Sequence, residues 1–148
     1  MTFLSIHRRT KSLLSKVRHL YVEESTELLN LVGIADQADR PCDVLAYGDL
    51  KRVEMAVALA NQPELLLMDE PTAGMGPAER QGLMQLTQRI VRTRKMGVLF
   101  TEHDMQVVFN YAQRIIVLNR GEMIAEGTPE EVQKNNEVKE IYLGTPIP

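Results

Sequence analysis

From Glu23 the chain places acids first and then Leu28, Leu29, Leu31 and Val32, an order that suits a helix, whose N-terminal dipole favours negative charge. Gly33 can end that helix because glycine accepts a left-handed backbone. Pro41 and the Gly48-Asp49 pair mark an irregular stretch. Leu50, Val53, Val57 and Ala60 then recur at the spacing of one helix face, predicting a second helix that begins at Asp49 and that Pro63 stops. Leu65 to Met68 is an apolar block without polar alternation, the pattern of a strand buried on both faces of a parallel sheet. Asp69-Glu70-Pro71 bounds it.

A loop through Gly74 and Gly76 leads into a helix with Pro77 near its first turn and an apolar face of Leu83, Leu86 and Ile90. Val98-Leu99-Phe100 predicts a second short strand ending at Thr101-Glu102-His103-Asp104, with Asp104 as N-cap of a helix through Tyr111. This strand-helix-strand alternation predicts an α/β fold. Past it, Ile115 to Leu118, the turn Asn119-Arg120-Gly121 and Met123 to Ala125 form a hairpin pattern. Thr128-Pro129-Glu130-Glu131 is a capping box, and Gly144 closes the last helix after Ile141, Tyr142 and Leu143. There is no internal repeat and no low-complexity tract.

Composition narrows the function classes. With 148 residues, 44% hydrophobic and 25% charged, the chain is of ordinary globular make-up, which excludes disorder and collagen-like repetition. Its longest apolar run, Met55 to Ala60, falls far short of the roughly 20 residues that span a bilayer. The single cysteine, Cys42, provides neither an internal disulfide nor a thiolate zinc cluster, and fits a reducing cytosol. A net charge of -3 does not suggest nucleic acid as a partner. Charge is nonetheless uneven: residues 1 to 20 carry five basic side chains and no acid, while the remaining 128 hold twelve basic and twenty acidic ones. A solvated helix face, a transit-like segment or attraction to anionic lipid would each produce that start.

Three features carry candidate chemistry. In open α/β sheets ligands bind outside the carboxyl ends of the strands, where Asp69 and Glu70 are expected. Asp69 is suited to hold Mg²⁺ directly or through water, and Glu70 to orient and deprotonate a water attacking a γ-phosphate. The same acids equally suit a plain turn before proline. Upstream, Leu45-Ala46-Tyr47-Gly48-Asp49 puts a glycine before a helix, where backbone N–H groups can approach an anion such as phosphate; it also suits an ordinary helix start. His103 follows a strand as the two acids do, placing an imidazole where it could donate to a γ-phosphate oxygen or simply make a structural hydrogen bond.

In order and spacing these pieces resemble the ATP-binding subunits of ABC transporters. Leu45 to Asp49 matches the signature motif, Leu65 to Glu70 the Walker B strand with its catalytic glutamate, Ala73-Gly74-Met75 the D-loop, and His103 the switch histidine. The likeness runs from about Glu27 to Gly144 and is strongest to importers of branched-chain amino acids and related amides such as urea. It implies ATP and Mg²⁺ as ligands and a head-to-tail dimer in which each signature loop completes the other subunit's ATP site. It also implies membrane permease subunits, indirectly a periplasmic solute-binding protein, and a place on the cytoplasmic face of the membrane. Ala46 stands where many members have a hydrogen-bonding serine, and Tyr47 where others have glycine.

No G-x-x-x-x-G-K-[ST] occurs in the sequence, and the family's Q-loop glutamine is unmatched. Without that P-loop the amide cradle, the phosphate-bridging lysine and a hydroxyl ligand of Mg²⁺ have no source in this chain. The expectation is a partial P-loop NTPase core with parallel strands. Residues 1 to about 60 correspond to part of the helical subdomain and about 61–148 to the C-terminal half of the catalytic core. A truncated gene, a frameshift or a misassigned start would yield such a chain. Its strands should lack neighbours, leaving apolar surface and sheet edges open and the isolated chain prone to aggregate. Two other classes remain. One is a metal-dependent hydrolase using Asp69, Glu70, His103 and Asp104. The other is a non-catalytic partner that donates its signature loop to a complete ATPase subunit.

Overall fold

The structure, a computed structural model, describes residues 21–143. The basic stretch 1–20 and Gly144 lie outside the described residues. The chain forms two compact units that divide between Thr101 and Glu102.

In the first unit, helix α1 (Val22–Val32) begins with Glu23 and Glu24 in its first turn. It ends as its sequence predicts, with Gly33 at φ 77 and the Ile34 N–H returning to the Leu29 carbonyl at 2.9 Å. Short 3₁₀ turns at Ala35–Gln37 and Cys42–Val44 lead to helix α2 (Tyr47–Leu59). Arg52 of α2 donates from Nη1 to the Val32 carbonyl at 2.8 Å, placing a cation on the negative end of α1. Strand β1 (Leu65–Asp69), helix α3 (Pro77–Arg94, proline at its first turn) and strand β2 (Gly97–Thr101) complete a β-α-β unit with β1 and β2 parallel. Residue by residue, Leu65 lies opposite Gly97, Leu67 opposite Leu99 and Asp69 opposite Thr101.

The core of this unit gathers Leu28, Val32 and Ile34 with Met55, Ala56 and Leu59 of α2, Leu66 of β1, and Leu83, Leu86 and Ile90 of α3. Two expectations are corrected here. The buried arc of α2 is Met55, Ala56 and Leu59, whereas Val57 is exposed. The apolar residues of this helix surround it, so spacing alone did not identify the arc that α1 and α3 cover. The leucine strand is likewise not buried on both faces, since Leu65, Leu67 and Leu99 are 54%, 67% and 58% exposed while Leu66 is buried. Within this unit α3 and its neighbours pack against one face of a two-stranded sheet. The opposite face has no partner among the described residues, and its open apolar surface is the one the sequence leads one to expect.

The second unit opens with helix α4 (Met105–Tyr111). The Asp104 carboxylate accepts from the N–H groups of Gln106 and Val107 at 3.0 and 3.3 Å, the N-cap its position predicts. Strands β3 (Ile115–Asn119) and β4 (Glu122–Gly127) form an antiparallel hairpin. Both turn residues, Arg120 (φ 51) and Gly121 (φ 85), have positive φ, as a two-residue hairpin turn requires. Helix α5 (Pro129–Lys134) starts in the predicted capping box, with the Thr128 N–H donating to Glu131 Oε2 at 2.8 Å and the Glu131 N–H to Thr128 Oγ1 at 3.3 Å. Asn135 breaks the tail and caps a further short turn, α6 (Asn136–Val138), which runs on into a π-helical turn over Lys139–Leu143. The Tyr142 hydroxyl donates to the Leu118 carbonyl at 2.6 Å, fastening the tail to β3.

Leu59 is fully buried and Leu67 two-thirds exposed, so the two sites should respond in opposite ways. Leu59→Ala should cost about 2–5 kcal/mol in a denaturant titration. Leu67→Lys should raise the fraction of chain that stays in the supernatant after centrifugation; equal behaviour of the two variants would contradict the burial described. The backbone N–H and then the hydroxyl of Thr128 hold the Glu131 carboxyl below the usual glutamate range. A depressed carboxylate stabilises the fold above its unfolded pKa and loses that contribution as pH falls through the folded one. NMR titration of Glu131 should therefore find it ionised into acid where free glutamate is protonated, and Thr128→Ala should move its midpoint upward.

Candidate functional site

The parallel register sets one corner of the site. Asp69 is the last residue of β1, and the Thr101 hydroxyl opposite it donates to Asp69 Oδ1 at 2.5 Å. The next residue turns sharply: Glu70 has φ 42, a left-handed conformation that costs a non-glycine residue about 1–3 kcal/mol and persists where surroundings enforce it. Thr101 supplies that enforcement. The Glu70 N–H is shared between the Thr101 carbonyl and its hydroxyl, each at 3.1 Å. One threonine thus orients the Asp69 carboxylate and fixes the bend that carries Glu70, and both acids are exposed at the carboxyl end of the strand. Thr101 is a residue that the sequence reading passed over as a strand end; only the pairing register reveals that it faces Asp69.

Beyond the bend, the Ala73 N–H donates to the Glu70 carbonyl and the Met75 N–H to the Thr72 carbonyl, at 3.1 and 3.2 Å. Thr72 and Met75 are buried, and Arg80 Nε holds the Met75 carbonyl at 2.8 Å. The segment between the acids and α3 is therefore a chain of turns pinned at both ends. Gly74 within it has φ 75.

The start of α2 differs from its expected place. The helix begins at Tyr47, so Gly48 lies inside the first turn and not ahead of it. Leu45 and Ala46 are extended, and Ala46 as N-cap has no side chain to satisfy the first-turn amides. Asp49 follows in the first turn, favourable to the helix dipole. Tyr47 and Gly48 pack beside the turns just described: a side-chain carbon added at Gly74 would sit 3.7 Å from the Tyr47 ring, and one at Gly48 would sit 3.5 Å from Glu79 Oε1. Glu79 is the second residue missed from sequence. It stands three places after Gly76, whose N–H it accepts at 3.0 Å, which is the spacing of a capping glutamate.

His103 lies exposed two residues past β2, in the second unit. Its neighbour Asp104 is engaged in capping α4. Among the described residues no group of three or more His, Cys, Asp or Glu side chains is gathered as a candidate metal site. Among the same residues, no helix is long and apolar enough to cross a membrane.

The chain has recognisable relatives among known proteins. The ABC transporter family model matches residues 5–73, and the model of the branched-chain amino acid ATP-binding cassette transporter matches residues 122–147. The chain is similar to the high-affinity branched-chain amino acid transport ATP-binding proteins LivG of Salmonella typhimurium, 38% identical over 123 residues, and BraF of Pseudomonas aeruginosa, 36% identical over 123 residues. Each alignment covers 83% of this chain and 48% of the relative. The crystal structure of the ADP conformation of MJ1267, an ATP-binding cassette of an ABC transporter, superposes with a TM-score of 0.78 at 28% identity, over 92% of this chain and 54% of that one. The chain thus spans about half the length of the curated relatives it matches, and it belongs to the ABC transporter ATP-binding family.

Proposed function

We propose that this chain is the signature-bearing and water-activating portion of an ATP-hydrolysing subunit in an importer for branched-chain amino acids or related amides. What supports the solute class is the pair of relatives named for branched-chain amino acid transport, together with the branched-chain cassette model at residues 122–147. What supports the chemistry most is the corner at the end of β1, where Thr101 orients Asp69 and fixes the bend at Glu70.

The oxygen donors at that corner fit a hard divalent cation carried in with a nucleotide. The Thr101 hydrogen bond engages one carboxylate oxygen of Asp69, and the side chain stands exposed at the strand end. Magnesium bound there would neutralise charge developing on the phosphates. Glu70 orients a water and takes its proton, with its backbone held at the strand end by Thr101. His103 donates to a γ-phosphate oxygen. The amides of Ala46 to Asp49 at the start of α2, lacking a side-chain cap, meet the phosphate of a nucleotide bound by a second ATPase subunit, and Ala73-Gly74-Met75 lies along the same contact. The amide cradle and lysine of a P-loop come from another polypeptide segment, because this sequence has none. Working partners are a second ATPase subunit, membrane permease subunits and, through them, a solute-binding protein. The chain itself is peripheral on the cytoplasmic face.

The absent P-loop motif also favours a second reading, in which the chain acts only by donating its signature loop to a complete subunit. Two measurements bear on these readings. Mixed with a complete LivG-type subunit, the chain should raise magnesium-dependent ATP hydrolysis. Gly48→Asp should cut that stimulation by roughly tenfold, because it sets a carboxylate against a phosphate. An identical rate with either chain would exclude the trans role. In a nucleotide titration the pure chain should bind ATP no more tightly than roughly millimolar, and a micromolar Kd would contradict the assignment of phosphate binding to another segment.

A further inference from the structure

The start of α2 and the turns after Glu70 meet at a single aromatic ring. The Tyr47 ring stands beside Gly74, whose φ of 75 favours glycine, and a side-chain carbon there would meet the ring at 3.7 Å, an ordinary van der Waals distance. The Lys51 ammonium lies 5.6 Å from the centre of the same ring. It is fixed there by Glu54 at 2.9 Å, a hydrogen bond that raises the Lys51 pKa above the usual lysine range. Beside this contact Glu79 Oε2 accepts the Gly76 N–H at 3.0 Å, and a side-chain carbon added at Gly48 would stand 3.5 Å from Glu79 Oε1. At its far end the loop is continuous with Glu70, through the hydrogen bond from Ala73 to the Glu70 carbonyl. Tyr47 is about half exposed, so hydrophobic burial alone does not account for its place.

We propose that Tyr47 is a positioning residue whose ring ties the first turn of α2 to the Ala73-Gly74-Met75 loop, so that the signature and the loop leading from Glu70 move as one body. The inference rests on the functional reading above for its consequence in hydrolysis, but the mechanical tie is a property of this chain alone. A glycine in place of Tyr47 would leave Gly74 facing open space and remove the ring between the two segments. In this chain, displacement of the α2 start by a partner's nucleotide is passed through the ring to Gly74 and along the turns to Glu70.

Hydrogen exchange on the full chain in dilute solution tests the tie. Tyr47→Ala should speed exchange of the amides of Ala73 to Gly76 by roughly two- to tenfold, the size of one aromatic or cation–π contact. Tyr47→Phe should restore the wild-type rate, and amides in β3 and β4 should not change. The idea is overturned by unchanged loop exchange in Tyr47→Ala, by Tyr47→Phe behaving like Tyr47→Ala, or by loop amides that are unprotected in the wild type. It is also overturned if Ile90, deep in α3, speeds up as much as the loop, since that marks general destabilisation. In the mixture with a complete subunit, Tyr47→Ala should lower the stimulated kcat with KM for ATP little changed, and Tyr47→Phe should not. A wild-type chain that fails to stimulate at all would defeat the functional reading and leave the exchange result to decide the tie.

Discussion

The parallel pairing that sets Asp69 beside Thr101 is the contact on which the site depends. Slipped by one residue, β1 would turn Asp69 to the opposite face and bring Thr101 away from it, because side chains alternate along a strand. In the observed register one hydroxyl serves two acids. It donates to the first and accepts from the backbone of the second, and so it converts a costly left-handed bend at Glu70 into a fixed one. Leu66 buried under β1 and the row of Leu83, Leu86 and Ile90 along α3 hold that register from below.

Polar side chains then fix how the helices end against this core. Arg52 donates to the Val32 carbonyl at the end of α1, Arg94 to the Leu59 carbonyl at the end of α2, and Arg80 holds the Met75 carbonyl before α3. Each cation meets backbone carbonyls that have no helical partner, the arrangement a helix C-terminus or a tight turn favours. The consequence for function is geometric. The helix carrying Tyr47 and Gly48 and the turns carrying Gly74 are both anchored to one core.

Much of this was legible in the sequence wherever one residue type had one local job. Gly33, Pro77, Asp104, the Arg120-Gly121 turn and the Thr128–Glu131 box all act where their positions predict, because caps and turns are decided by neighbours in the chain. Features that depend on distant partners were not legible. Which arc of α2 is buried depends on the helices packed against it: Val53 and Ala60 are partly buried against the core as their spacing suggests, Val57 is exposed, and Met55, Ala56 and Leu59 form the fully buried side. Both faces of the leucine strand carry large apolar side chains, yet only the Leu66 face is covered. Thr101 and Glu79 gained their roles from register and loop packing, and the α2 start shifted ahead of Gly48 because Ala46 already adopts the extended N-cap backbone.

The exposed leucines of β1 and β2, the chain's share of about half of its relatives' length and the missing phosphate-binding motif are consistent with a single account. In that account the Asp69–Glu70 corner is built and oriented, but the groups that grip a triphosphate belong to another segment. Magnesium-dependent phosphate release by the purified 148-residue chain measures this directly. The account predicts a rate equal to the buffer background, the same with Glu70→Gln as without it. Turnover well above background that Glu70→Gln abolishes would contradict it.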